Sequence, residues 1–303
     1  MKHNIKITVI LIAMFIITQL IGIFIVANYI NGLKLPYGME PPQEIKEKPR
    51  GFEIILAFAF AVTLFFILIK MNAEAFIRLW YFVLNVLALG LTLNVIFFKL
   101  NIVYYSFMAL VIALPLSYIK IFRKNLFVHN ITELLIYPGI AAVFIPLLNV
   151  LWITLILLLI SIYDIWAVWH SDFMQKMAKF QINKLHFFTG FFIPYADKKQ
   201  REKIQMIKQK YSNKPTLMEK QFKKARIKIS LAILGGGDIV FPIITSGIFY
   251  KFYGIIPAFI IIISSILALL LLFIYARKGK FYPAMPFLTI GMYLGMIVSW
   301  LIV

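Results

Sequence analysis

Residues 150–170 read VLWITLILLLISIYDIWAVWH, and Asp164 is the only Asp, Glu, Lys or Arg among them. A helix of about 20 apolar residues is as long as the hydrocarbon core of a bilayer is thick. A carboxylate at that depth is costly, so an acidic side chain kept there indicates a specific task. We therefore expect this segment to cross a membrane and Asp164 to serve a function within it.

The composition of the whole chain also indicates that lipid surrounds most of the protein. Of its 303 residues, 62% are hydrophobic and 14% are charged, whereas a soluble domain is nearer half apolar and a quarter charged. This excess excludes a water-soluble globular enzyme. Cysteine is absent, which excludes disulfides, a thiolate nucleophile and a zinc–thiolate site. The four histidines show no metal-ligand spacing, so we expect no metal and no cofactor.

Apolar runs between charged, proline or glycine breaks predict nine membrane-spanning segments. They cover approximately 5–30, 52–70, 75–98, 102–119, 126–148, 150–170, 228–249, 252–276 and 282–303. Each is expected to be helical, because unpaired backbone groups are very costly in hydrocarbon. We therefore predict an all-α polytopic membrane protein with nine transmembrane helices. Residues 1–303 form one membrane-embedded domain, with spans 1–6 over 5–170, a loop over 171–227, and spans 7–9 over 228–303.

The net charge of +19 would suggest nucleic acid in a soluble protein, but in a membrane protein basic residues collect in cytoplasmic loops. With the N-terminus inside and nine alternating spans, 25 of the 31 Lys and Arg lie on the cytoplasmic side. We predict a multi-pass protein of the cell membrane, with the N-terminus and loop 171–227 cytoplasmic and the C-terminus extracytoplasmic. The expected partners of that loop are anionic lipids rather than nucleic acid. Its aromatic stretch Phe187–Pro194 is too short to span and is expected in the interface or, alternatively, over a substrate entrance.

Three acidic residues lie well inside the predicted spans. Glu133 lies about two turns into the fifth, where it is expected to face the bundle interior or a neighbouring helix. Asp164 lies about 9 Å from the cytoplasmic end of the sixth span, and Asp238 about 15 Å from that of the seventh. The two aspartates therefore lie at similar depth on sequential helices and can face each other.

Two close carboxylates share one proton, so that one acts as a base while the other acts as an acid. Such a pair can take a proton from a water and give one to a peptide carbonyl. This is the aspartic-protease mechanism. A structural carboxyl pair and a proton relay in a transporter use the same residues, and the two aspartates alone do not decide between them.

The residues beside the aspartates favour peptide hydrolysis. Gly235, Gly236 and Gly237 directly precede Asp238, and glycines leave the backbone bare for the close approach of another chain. A helical substrate must unwind to expose its scissile bond, and its freed amide groups then need protein partners. The segment Pro283-Ala284-Met285-Pro286 opens the last span at the same predicted depth.

Three motifs together carry a family resemblance. Tyr163-Asp164 in span six, Gly235-Gly236-Gly237-Asp238 in span seven and Pro283-Ala284-Met285 in span nine resemble the YD, GxGD and PAL motifs of the presenilin and signal peptide peptidase family. Met285 stands where the family usually has Leu. The resemblance covers the whole chain and is similar to the archaeal-type presenilin homologues. It implies an intramembrane aspartic endopeptidase that cleaves single-span transmembrane peptides, membrane-protein remnants or signal peptides.

The resulting hypothesis assigns a role to each motif. Asp164 and Asp238 are the predicted catalytic pair. The predicted substrate-binding residues are Tyr163, Gly235, Gly236, Gly237, Pro283, Ala284 and Met285. The alternatives are a proton-coupled transporter or channel that uses the same aspartates as a relay, a prepilin-peptidase-like protease, and a non-catalytic scaffold.

Overall fold

The chain folds into nine helices of 18 or more residues within the part that the computed structural model describes. That part comprises residues 5–39, 51–71, 73–123, 125–170, 188–195, 200, 204–207, 209, 230–276 and 282–302. The helices are α1 (Ile5–Ile30), α2 (Gly51–Lys70), α3 (Glu74–Lys99), α4 (Tyr105–Phe122), α5 (Leu126–Phe144), α6 (Val150–Trp169), α7 (Gly236–Tyr253), α8 (Ile255–Tyr275) and α9 (Ala284–Ile302).

Seven of these helices are long and apolar enough to cross a membrane, namely α1, α3, α4, α5, α6, α8 and α9. The described apolar part of α2 is shorter, at Ile55–Lys70, and α7 carries glycines, an aspartate, a proline and a lysine. Large apolar side chains such as Phe60, Trp166 and Trp300 are exposed on the outside, as expected where lipid is the solvent. The protein is thus a mainly helical, polytopic membrane protein.

The predicted break between the fifth and sixth segments is present. After α5 the chain makes a short 3-10 turn, Ile145–Leu147, and α6 starts after Asn149. The Asn149 side chain accepts a hydrogen bond from the Trp152 N–H at 2.9 Å, which satisfies one of the unpaired donors of the first turn. Proline and a capping residue therefore separate the two helices, as the sequence indicated.

The start of the seventh segment differs from the prediction. Instead of a span over 228–249, residues Ser230–Gly235 form a strand, β2, and the helix begins at Gly236. Strand β2 pairs antiparallel with β1, Gly190–Tyr195, in the register Gly190↔Gly235 to Tyr195↔Ser230. The prediction of a helix from residue 228 was wrong, and the all-α prediction omitted this sheet. A short apolar run cannot be assigned to helix or strand by its pattern, and the glycines disfavour helix.

The strand pair rests on α5. The Asn130 amide donates to the Phe192 carbonyl at 3.0 Å and accepts from the Phe192 N–H at 3.1 Å. His129 Nε2 donates to the Gly190 carbonyl at 2.9 Å. These side chains occupy the edge of β1 that faces away from β2, so α5 satisfies backbone groups that would otherwise be costly in a membrane protein.

Helix α7 lies in the middle of the bundle and contacts α1, α5, α6, α8, α9 and both strands. The largest buried apolar cluster surrounds it, including Phe15, Phe191, Ile239 and Ile243. Helices α3 and α4 pack with α5 around a second, smaller cluster. The helix that carries Asp238 is therefore held from nearly every side.

A buried ion pair joins α4 to α5. Lys120 Nζ lies 2.6 Å from Glu133 Oε1, donates to Asn85 Oδ1 at 2.6 Å and lies 5.3 Å from the centre of the Tyr81 ring. Both charged side chains are buried. Glu133 thus faces the interior, one of the two positions expected of it. Lys120, which the charge count assigned to the cytoplasmic end of its span, lies inside the protein.

Because this ion pair is buried, we expect the free energy of unfolding to depend strongly on both of its residues. Glu133→Ala leaves the Lys120 ammonium buried without its partner, so we expect a loss of about 3–5 kcal/mol in the free energy of unfolding. Thermal unfolding in detergent measures it. The double variant Lys120→Met with Glu133→Leu removes both charges and is expected to unfold closer to the unsubstituted protein. A Glu133→Ala protein as stable as the unsubstituted protein would contradict the pairing.

Candidate active site

Asp164 lies in the last two turns of α6 and is 6% exposed. Its Oδ2 accepts a hydrogen bond from the Met285 N–H at 3.0 Å, and the neighbouring Ala284 N–H also donates to this carboxylate. Two backbone donors from the start of α9 therefore hold the Asp164 side chain in one orientation.

The sequence around Ala284 explains this arrangement. The first N–H groups of a helix have no partner within it, and proline has no N–H at all. Because α9 begins between Pro283 and Pro286, Ala284 and Met285 carry the free donors at this end, and both reach Asp164. The proline-flanked motif thus contacts the acidic residue through its backbone.

A row of polar contacts aligns α6 with α9. Ser161 Oγ donates to Thr289 Oγ1 at 2.7 Å, and the Tyr293 hydroxyl donates to the Thr154 carbonyl at 2.6 Å. Interhelical hydrogen bonds of this kind set the register of helices in a membrane. The sequence analysis missed these residues, although hydroxyl side chains within apolar spans are a usable signal.

Asp238 is the third residue of α7. Its carboxylate accepts from the Gly235 N–H, and a Cβ atom added to Gly235 would lie 3.2 Å from Asp238 Oδ2. An acidic residue at this position commonly reaches back to the N–H before its helix. Asp238 is partly exposed. The expectation that it lies some ten residues into a helical span was wrong, because the chain before Gly236 is extended.

The structure brings the two predicted aspartates together. Helices α6 and α7 are in contact, and the two carboxylates lie close enough for their charges to interact. Each carboxylate is bound by backbone N–H groups where a helix begins, so both side chains are held at the meeting point of α6, α7 and α9. Two carboxylates that share one proton can act as an acid and a base, which is the chemistry that hydrolysis of a peptide bond requires.

A family model described as signal-peptide peptidase, presenilin aspartyl protease matches residues 12–303. The chain belongs to this family. Family membership indicates an intramembrane aspartyl protease and does not favour the transporter or channel alternative. The resemblance inferred from the three motifs is thereby confirmed.

Solved structures of this family share the fold. One structure of a presenilin family intramembrane aspartate protease, in space group C222, has a TM-score of 0.60 at 19% identity, covering 98% of this chain and 99% of that chain. A second, in space group P2, has a TM-score of 0.59 at 18% identity and covers 97% of each chain. No curated protein matches the chain.

The three glycines of this presenilin-family site differ in their surroundings. A Cβ atom added to Gly236 would lie 2.8 Å from the Tyr137 hydroxyl, whereas one added to Gly237 would meet only Phe241, at 4.0 Å. Gly237 is also exposed. The close approach to Gly236 is therefore made by the protein's own Tyr137, which the sequence analysis did not single out, and Gly237 is the glycine that remains accessible.

Tyr163 lies beside Asp164 but faces outward. Its side chain is 44% exposed, and its ring centre lies 6.4 Å from that of Trp166. Within the described residues its hydroxyl makes no hydrogen bond to the aspartates. The structure therefore places Tyr163 at the lipid-facing side of the site, away from the backbone donors of α9.

Gln19 of α1 is a further polar residue that the sequence analysis passed over. Its Nε2 donates to the Ile239 carbonyl at 3.0 Å, and the side chain is fully buried. Pro242 lacks the N–H that would pair with the Asp238 carbonyl in a regular helix, so the first turns of α7 are the least self-sufficient. Gln19 ties these turns to α1. An amide in the middle of a mainly apolar span is the signal that could have identified it.

Two substitutions of Met285 can separate the role of its backbone N–H from the role of its side chain. Met285→Pro removes the donor in the first turn of α9, where proline is tolerated because no intrahelical hydrogen bond is lost, and we expect kcat on a transmembrane peptide to fall roughly 10- to 100-fold. Met285→Ala is the matched control, because it removes the side chain and keeps the N–H. Equal activity of the two variants, at equal thermal stability, would show that this hydrogen bond does not orient Asp164 for catalysis.

Proposed function

We propose that the protein hydrolyses peptide bonds within transmembrane segments of membrane proteins or signal peptides, with Asp164 and Asp238 as the catalytic pair. The observation that carries this proposal is the meeting of the two carboxylates at the starts of α7 and α9. The family match supports the protease class. No other function is favoured by a specific contact in the described residues.

The reaction follows from one shared proton. The ionised carboxylate takes a proton from a water molecule, and the water oxygen attacks the carbonyl carbon of the scissile bond. The protonated carboxyl gives its proton to the carbonyl oxygen. Proton transfer to the amide nitrogen then breaks the C–N bond and leaves a carboxyl and an amine terminus. The base and acid are properties of the pair, because coupled carboxyls titrate as a unit.

The surroundings of Asp238 suit an extended substrate. The outer edge of β1 is occupied by His129 and Asn130. Among the described residues no strand pairs with the other edge of β2, and β2 leads directly to Asp238. Extended peptides add to such edges through main-chain hydrogen bonds. Gly237 offers the exposed, side-chain-free backbone beside the carboxylate.

The remaining predicted residues have roles in the same proposal. Gly235 positions the Asp238 carboxylate through its N–H, and Ala284 and Met285 position Asp164. Pro283 borders the cleft by fixing the start of α9. Tyr163, on the lipid-facing side, lies where a single-span helix would approach from the bilayer.

We propose nine membrane spans within one membrane-embedded domain over 1–303. Helices α2 and α7 then cross the bilayer together with the seven longer or more apolar helices. The N-terminus and loop 171–227 lie in the cytoplasm and the C-terminus outside the cell. The distribution of Lys and Arg supports this orientation.

The catalytic assignment is tested by removing one charge at a time. Asp164→Asn and Asp238→Asn keep the size of each side chain, and we expect both variants to fold and insert but to lose at least about 1,000-fold in cleavage, since neither amide can take part in the proton exchange. Mass spectrometry of single-span peptide substrates measures the products. Cleavage retained by either variant would remove that aspartate from the mechanism.

The proposed membrane orientation can be tested with single cysteine substitutions, because the chain has no cysteine of its own. Lys34→Cys, after α1, and Arg123→Cys, after α4, place single thiols at exposed positions separated by three proposed spans. A membrane-impermeant maleimide added to intact cells should label Lys34→Cys and should label Arg123→Cys only after permeabilisation. The reverse pattern would invert the proposed orientation, and labelling of both in intact cells would contradict the number of spans between them.

A further inference from the structure

A set of buried polar groups that the proposed mechanism does not use lies along α5. Glu133 and Tyr137 are one helical turn apart, and Lys120 of α4 holds the Glu133 carboxylate at 2.6 Å. Tyr137 is 4% exposed. Residues four apart on a helix lie on the same face, so this face of α5 leads from the ion pair to Tyr137, and Tyr137 lies against the start of α7.

The contact between Tyr137 and Gly236 is close. A Cβ atom added to Gly236 would lie 2.8 Å from the Tyr137 hydroxyl and 2.9 Å from its Cε1, which is closer than real side chains approach. The Tyr137 ring is in turn held edge-on by Phe191 of β1, with ring centres 6.2 Å apart. Tyr137 thus occupies the space that a side chain at position 236 would fill, and glycine is required there by the protein itself.

The glycine turn that Tyr137 contacts has little conformational preference of its own. Gly235, Gly236 and Gly237 are consecutive, and glycine has more backbone freedom to lose on folding than any other residue. Catalytic groups must be held within roughly 0.5 Å of their productive geometry. Asp238 follows these three residues immediately, so its position depends on contacts from outside the turn.

The hydroxyl of Tyr137 is directed at this turn. On the α5 side the Glu133 carboxylate, one helical turn away, can accept its hydrogen bond, and Asp238 lies within electrostatic range. The place of the hydroxyl between an anchored carboxylate and the unpaired N–H groups at the start of α7 suits a group that restrains the turn.

We propose that Tyr137 is a positioning residue of the active site, which holds the Gly235–Asp238 turn against α5 and so keeps Asp238 in register with Asp164. The Glu133–Lys120 ion pair anchors the face of α5 from which Tyr137 acts. This inference rests on the proposed function, because it assigns Tyr137 a part in the same reaction without contact to the substrate.

The first test removes the hydroxyl and then the ring. Tyr137→Phe keeps the ring, and we expect kcat to fall about threefold to tenfold with KM and the melting temperature unchanged. Tyr137→Leu opens space beside Gly236, and we expect kcat to fall about 10- to 100-fold, because a misplacement of about 1 Å costs on that order. Tyr29→Phe is the matched control. It removes a hydroxyl at the end of α1 that donates to the Leu91 carbonyl at 2.8 Å and accepts from the Asn94 amide at 3.1 Å, and it should leave kcat unchanged.

The second test is rescue. Gly236→Ala places a methyl group against the Tyr137 ring, so we expect it to lower both activity and melting temperature. The double variant Gly236→Ala with Tyr137→Leu should regain at least about tenfold in kcat over Gly236→Ala alone, since neighbouring residues couple in a double-mutant cycle. Gly237→Ala is the matched glycine control, because its Cβ meets only Phe241. It should keep the melting temperature and gain nothing from Tyr137→Leu.

Each outcome of these tests supports or refutes the proposed role of Tyr137. Additive effects of Gly236→Ala and Tyr137→Leu would overturn the inference, as would a Tyr137→Leu enzyme with unchanged kcat or with a loss confined to KM. Asp238→Asn is measured in the same assay. Cleavage that survives it would refute the proposed function, whereas cleavage that depends on Asp238 but shows no coupling between positions 137 and 236 would refute the inference alone.

Discussion

A polar group inside hydrocarbon has to find its partner within the protein, and at the centre of this molecule that constraint joins α6, α7 and α9. The Asp164 carboxylate accepts the Met285 N–H, and the Asp238 carboxylate accepts the Gly235 N–H. Each acid satisfies donors that a helix start leaves unpaired. The same contacts that satisfy the two carboxylates therefore also bring them to one region of the protein.

The replacement of helix by strand before Asp238 is subject to the same constraint, that backbone polar groups need partners within the protein. Irregular backbone at membrane depth is tolerated where other parts of the protein satisfy it. Here β1 pairs with β2, and Asn130 of α5 serves the outer edge of β1 in both directions. Helix α5 is thus a support for the strands, and its buried ion pair with Lys120 ties that support to the flanking helices. The proposed cleavage of an unwound peptide requires such supported backbone beside the aspartates.

Much of the fold followed from local properties of the sequence. The bounds of most helices lie within three or four residues of the apolar runs, because span length and hydropathy are set by the bilayer. The three motifs were sufficient to indicate the family. The strand Ser230–Gly235 and the burial of Lys120 were not predictable in this way. A six-residue apolar run is compatible with helix or strand, and a lysine at a span end has the same local sequence whether it meets water or Glu133.

The sequence by itself determined that the chain resides in a membrane, approximately where most helices begin and end, and which two aspartates lie within or next to apolar segments. These features follow from side-chain hydropathy along short stretches. Only the tertiary structure decided which groups those aspartates meet. Met285 is 121 residues from Asp164, and Tyr137 and Gly236 come from separate helices. Such contacts depend on how distant helices are rotated and shifted against one another, and that packing is a property of all the side chains together.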